Sequence, residues 1–260
     1  TTEIYTRSIV GSVNVYKRQV TIVNDAGLAL AASTMGGTFS GTATTGNITD
    51  TGALTVTGTT TLVTSANDAF IDVDHGGHAF TGALLITTND NDGNPNDKDG
   101  DVTIIAGSGA PLNFGNSTID GDLIATSGHD TGITDSGALT VRGTSSFQTT
   151  ATDADIILDA GHVITGKVTL NTTGSGGDAT FDNGTTALEL GTSAASLVTS
   201  VGGNLTLTTG NASGITDSAT VTVGGNLVAT TDANNGVINM GTMAVDGTFT
   251  LAPNGNGAVT

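Results

Sequence analysis

Three stretches decide the fold: NITDTGALTVTG at 47–58, GITDSGALTVRG at 132–143 and GITDSATVTVGG at 214–225. Their isoleucines, Ile48, Ile133 and Ile215, stand 85 and 82 residues apart. Six of the twelve aligned positions are identical in all three, and that spacing defines a long internal repeat. A shorter unit lies inside it: an apolar residue, a spacer, a glycine, a spacer, then apolar residues two and four after the glycine. Its anchors are Gly58, Gly82, Gly100, Gly121, Gly143, Gly166, Gly184, Gly203, Gly225 and Gly247, with Gly37 as an earlier one. The steps from Gly58 to Gly247 average 21 residues.

The apolar positions hold this register. Val56, Phe80, Ile119, Val141, Ile164, Val201, Val223 and Val245 stand two before their glycines, and only Lys98 and Asp182 break the rule. Leu84 and Ile86, Val102 and Ile104, Val168 and Leu170, and Leu205 and Leu207 follow their glycines by two and four. Such alternation marks a strand with one buried face. A unit of about 21 residues cannot bury that face alone, so successive units stack and share a column of Val, Ile and Leu. The expected fold is all-β: a parallel β-helix, or β-solenoid, of about 11–12 coils of ~21 residues, each strand ~4.8 Å from its equivalent one turn away. Outward positions carry threonine, as at Thr55, Thr57, Thr140, Thr206, Thr208, Thr220 and Thr222; this β-branched residue suits a strand.

Composition agrees. The 260 residues include 39 Gly, 51 Thr, three Pro, no Trp and no Cys. Gly, Thr, Asn and Asp disfavour helix. Without cysteine there is no disulfide framework and no zinc-thiolate site. Charged residues make up 12%, against roughly 25% in an ordinary domain, and 24 acids against 6 bases give a net charge of −18. So few bases argue against nucleic acid as a partner. No apolar run reaches the ~18 residues of a membrane span.

The chain divides into residues 1–35, an N-terminal cap or assembly segment, and 36–260, the repeat rod. The first segment holds both tyrosines, Tyr5 and Tyr16, and the bases Arg7, Lys17 and Arg18. As a cap it covers the first turn, whose open edge invites pairing; as an assembly element it docks on the acidic body of another copy. DAGLALAAS at 25–33 reads as one short capping helix. The chain begins with Thr and shows no signal peptide, as a processed chain or a fragment would. NGNGAVT at the other end carries no cap signature, so the rod is expected to continue in more sequence or in another molecule.

The phrases ITDSGALTVRGTSSF, HAFTGALLITT and SVGGNLTLTTGNASGITDSATVTVGGNLVATT resemble the repeat regions of bacterial exoproteins of the filamentous haemagglutinin type. They are similar to β-strand-repeat surface adhesins over about residues 37–252. The resemblance implies a right-handed β-helical shaft, secreted and displayed at the bacterial cell surface.

Two polar clusters are candidate sites. In TNDNDGNPNDKDGD at 88–101, Asp90, Asp92, Asp97, Asp99 and Asp101 lie close together, the oxygen-rich setting that calcium takes. The EF-hand spacing fails there, and the alternative is a solvated loop. Asp68, Asp72, Asp74, His75 and His78 form the second cluster, while His129 and His162 stand apart. A polysaccharide hydrolase needs paired carboxylates and bases for an acidic sugar; after Lys98 the body has only Arg142 and Lys167. No nucleophile elbow, metalloprotease helix or phosphate loop is present, and the residues beside the glycines are too irregular for an ice-binding array. The expectation is a structural protein, not an enzyme: an extracellular rod that self-associates into a fibre or serves as an adhesin shaft. The alternatives are a module binding host or surface glycans, and a calcium-dependent surface-layer subunit.

Overall fold

The computed structural model describes residues 2–5, 14–15, 19–89, 100–192, 195–233 and 235–260. These residues contain no helix, and all their strands pair in parallel. They form a β-solenoid with two walls. From Gln19–Asn24 to Phe249–Ala252 the first wall carries eleven rungs, hence about ten turn-to-turn steps, with a repeat of about 22 residues. Ahead of them Thr2–Tyr5 pairs with Val20–Val23, and Asn14–Val15 pairs with Thr34–Met35.

DAGLALAAS forms no helix. Leu28–Leu30 is a strand that points Leu28 and Leu30 inward and Ala29 outward, and it pairs with Ile48–Asp50. Alternating leucines beside an existing column bury more on a rung than they would on an isolated helical turn, and this overrides the helix preference of alanine.

Most turns set one unbroken strand on one wall and a split pair, interrupted by a bend, on the other; where the pattern changes sides, Val102–Ala106 follows Leu84–Thr87 and Ala179–Asp182 follows Val168–Thr173, unbroken on both walls. The unbroken strands Gln19–Asn24, Thr38–Ala43, Thr60–Thr64 and Leu84–Thr87 stack on the first wall. The next four, Val102–Ala106, Leu123–Ser127, Ser145–Thr152 and Val168–Thr173, stack on the second. Ala179–Asp182, Leu205–Thr209, Leu227–Thr231 and Phe249–Ala252 return to the first. The split pairs occupy the complementary places.

The anchor glycines therefore stand in three files, not one. Gly58 donates to the carbonyl of Gly37 at 3.0 Å, and a Cβ on Gly82 would lie 2.5 Å from the carbonyl carbon of Gly58. The second file holds Gly121, Gly143 and Gly166, with Gly100 at its head; the third holds Gly203, Gly225 and Gly247. Gly184 packs against Gly161 and is no anchor. Of the two residues that break the apolar rule, Lys98 precedes Gly100, the head of the second file, and Asp182 precedes Gly184, which stands in none; Gly203 of the third file stacks on Gly177.

The long repeat follows from this. Ile48–Asp50 lies on the second wall, Ile133–Asp135 on the first and Ile215–Asp217 on the second. One long unit is about three and a half turns, so successive copies face opposite sides of the rod, ~17 Å apart along it at ~4.8 Å per rung. Inside, Phe39, Phe80, Phe114, Phe147 and Phe181 are fully buried. The rings of Phe114, Phe147 and Phe181 follow one another at 6.4 and 6.2 Å.

Candidate functional site

Some polar side chains that turn into the core, such as Asn24, Thr64 and Thr231, are spread along the rod; several others stand where the strand type changes wall. There an unbroken strand meets a split pair, and the ladder leaves backbone groups without partners, at a cost of about 1–3 kcal/mol for each one left buried. On the first wall Leu84–Thr87 faces both Leu112–Phe114 and Ser117–Ile119, and the Ile86 N–H donates to Ser117 Oγ at 3.0 Å. On the second wall the Leu170 N–H donates to Thr199 Oγ1 at 3.3 Å. Asn183 does the same for the short strand Val163–Ile164. Its Oδ1 accepts from the Ile164 N–H at 2.9 Å, and its amide donates to the carbonyls of Ile164 at 3.0 Å and Ala187 at 2.7 Å. The side-chain amide stands in for a missing piece of strand.

Two histidines complete the set. His78 and His162 are fully buried, each four residues before an anchor glycine. His78 lies in Ile71–Phe80, beside a register shift between Val73 and His78 in its pairing with Val102–Ala106. Its Nδ1 accepts the Leu54 N–H at 2.9 Å, as the Nδ1 of His162 accepts the Leu139 N–H at 2.9 Å. An accepting Nδ1 places the proton of the neutral ring on Nε2. That nitrogen lies 3.3 Å from Asp50 Oδ1 in His78 and 3.0 Å from Asp135 Oδ2 in His162. The distances suit a hydrogen bond but the angles do not, so each contact is an electrostatic pairing without good hydrogen-bond geometry. His78 stacks on Phe80 at 5.6 Å and His162 on Phe181 at 5.5 Å.

Asp50 and Asp135 are the aspartates of the Ile-Thr-Asp phrase, and each also ties down the bend of the next turn. Asp50 Oδ1 accepts the Asp74 N–H at 2.9 Å, and Asp135 Oδ2 accepts the Ala160 N–H at 2.9 Å. In the third copy Asp217 accepts the N–H groups of Gly241 at 2.8 Å and Thr242 at 2.9 Å. No ring is needed there, because the Val221 N–H reaches the carbonyl of Thr242 at 2.9 Å; Met243 occupies the histidine place.

Burial pushes both imidazoles below the usual histidine range. Asp50 beside His78, and Asp135 with Asp182 beside His162, pull the other way without overcoming it. With Nδ1 engaged by backbone and Nε2 turned to a buried carboxylate, neither ring offers a nitrogen to an outside molecule. The chemistry of these corners is the holding of backbone.

The second cluster divides across the wall. His78 turns in, whereas Asp74 and His75 are exposed and Asp68 sits in a loop at φ 59°. His162 is the repeat equivalent of His78, each standing four before its glycine, Gly166 and Gly82. Of the calcium candidates, Asp90, Asp92, Asp97 and Asp99 lie outside the described residues. Asp101 Oδ1 accepts the Asp122 N–H at 2.8 Å. It begins a file in which Asp122 accepts from Thr144, while farther along Asn204 accepts from Asn226 and Asn226 from Thr248. The residues beside the glycines are thus rung-to-rung caps. Among the described residues no group of three or more His, Cys, Asp or Glu is placed to hold a metal. Of the assembly candidates, Tyr5 ends the strand Thr2–Tyr5 and pairs with Val23; Arg7, Tyr16, Lys17 and Arg18 lie outside the described residues. Arg142 lies 3.1 Å from Asp120 and Lys167 3.6 Å from Glu189, at the surface, where such pairs contribute little.

A family model for repeats of unknown function matches residues 17–87 and 99–171. These are 71 and 73 residues, more than half of the chain. No curated protein and no solved structure matches it.

Proposed function

The chain belongs to the DUF5649 family of repeats of unknown function, and from that premise we propose that it is a structural, extracellular rod. It works at the bacterial cell surface, either as a fibre built by head-to-tail association of copies or as the shaft of an adhesin. One observation carries this reading. The apolar column runs from Val20 to Met240 without interruption, and the inward polar groups described above serve the ladder itself. A molecule whose interior is spent on continuity is suited to spanning distance. The resemblance of its phrases to haemagglutinin-type shafts supports the surface setting.

Phe249 is 63% exposed, and Phe249–Ala252 pairs along one side, with Leu227–Thr231. A further rung, from the same chain or a second copy, would bury that edge. Against association stands the net charge of −18, which makes rods repel; salt screens this within about 8 Å at physiological ionic strength. Electron microscopy of the purified chain is the test. One-rod-wide filaments that lengthen with concentration and with salt are expected. Single particles at every concentration and salt level remove the fibre and leave the shaft.

A further inference from the structure

The two buried histidines occupy equivalent places three and a half turns apart, on opposite walls, each beside a change of strand type. Each Nδ1 holds a backbone N–H that no carbonyl reaches: that of Leu54 for His78 and of Leu139 for His162. This contact exists only while the ring is neutral. A proton on Nδ1 would set N–H against N–H inside a packed wall, with a ring face already stacked on Phe80 or Phe181.

We propose that His78 and His162 are acid-released latches: uptake of a proton at Nδ1 detaches each ring from its backbone amide and loosens the wall where the strands change sides.

The charged and titratable neighbours are few. Asp50, Asp74 and His75 face His78; Asp135 and Asp182 face His162. Asp50 and Asp135 favour an imidazolium from the Nε2 side; Asp182 and the backbone of Leu158 also favour one at His162. Burial outweighs them, so both rings resist protonation in the fold. The sign follows from linkage. The unfolded chain takes up a proton at each histidine near pH 6.5, while the folded wall does not. Stability is therefore complete above that pH and falls as pH drops below it, until the ring protonates in the fold. Over the first pH unit below 6.5 each histidine lowers the folded-to-unfolded ratio by up to about fivefold, and the pair by up to about thirtyfold. The third copy, with Met243 in the histidine place and Asp217 on backbone N–H groups, takes no part. The latch is independent of whether the rod is a fibre or a shaft.

The test compares unfolding of the wild-type chain and of H78Q/H162Q between pH 7.5 and 5. A glutamine carbonyl can accept the same N–H and does not titrate, as Asn183 illustrates nearby. The wild type is expected to lose up to about thirtyfold in folding equilibrium from pH 6.5 to 5.5 beyond any loss in the double variant. In parallel, nitrogen NMR of the histidine rings in the wild-type chain should show two Nδ1 signals that stay unprotonated below pH 6.5. Their protonation should coincide with loss of amide protection at Leu54 and Leu139. Equal acid sensitivity in wild type and double variant overturns the proposal. So does ring protonation with both amides still protected, which needs no variant to fold.

Discussion

At the residue scale the structure rests on a few side chains that no neighbour can replace. Phe147 is fully buried between Phe114 and Phe181. Its replacement by alanine leaves a cavity that stacked rungs cannot collapse into, because each rung is tied to two others. Phe147→Ala is expected to cost about 3–5 kcal/mol, read as a fall in denaturant midpoint at unchanged slope. A change smaller than about 1 kcal/mol would mean that the column relaxes around the gap. The inward position of Phe147 is legible in the sequence, four residues after Gly143. Other residue roles were readable only once the long repeat was used as a key. Thr64, Thr149 and Thr231 stand six after Gly58, Gly143 and Gly225. Each donates to the carbonyl five residues on, at 3.1, 3.0 and 3.2 Å. The residue before that carbonyl is left-handed in each copy: Asp68 at 59°, Asp153 at 61° and Asn235 at 63°. Asp and Asn tolerate that region better than other residues with a side chain, which is why these copies differ in sequence but not in kind.

At the scale of the element, the short strands are kept in place by side chains that imitate backbone. Val163–Ile164 pairs with Thr140–Val141 on one side, and on the other Ile164 meets the amide of Asn183. Asn183→Ala leaves both backbone groups of Ile164 and the Ala187 carbonyl without that partner. At about 1–3 kcal/mol for each orphaned buried group, the loss should exceed roughly 2 kcal/mol. Hydrogen exchange should find the damage first at Ile164, and uniform exchange along the rod would show that Asn183 is not its local anchor. Sequence reading placed Ile164 in the core and left Asn183 unremarked. An asparagine after a strand reads as a turn residue, and nothing local reveals that it turns inward. The reading of 25–33 as a helix failed for a related reason: alanine content speaks for the isolated segment, whereas the rung is decided by the neighbouring turn.

At the scale of the whole molecule, the half-integral long repeat gives the rod an approximate two-fold screw. Features of one copy reappear on the far side three and a half rungs on, so any surface built by the repeat is displayed in two directions. Deleting residues 48–132 joins Asn47 to Ile133 at like positions. The shortened chain should fold cooperatively into a rod ~17 Å shorter by small-angle scattering. Non-cooperative melting, or an unchanged length, would count against the screw relation.

The sequence by itself determined that the chain is parallel β, that its turns repeat at twenty-odd residues, and which side chains face the core. Those properties follow from period-two alternation and from glycines at fixed distances, both written locally. Tertiary structure alone decided which wall each strand occupies, and hence that Gly100 stands across the rod from Gly82 and that His78 and His162 lie on opposite walls. The physical reason is symmetry: an alternating strand buries the same face equally well on either wall. Its side is set by the rung it stacks on and by the polar side chains that mend the ladder at each change.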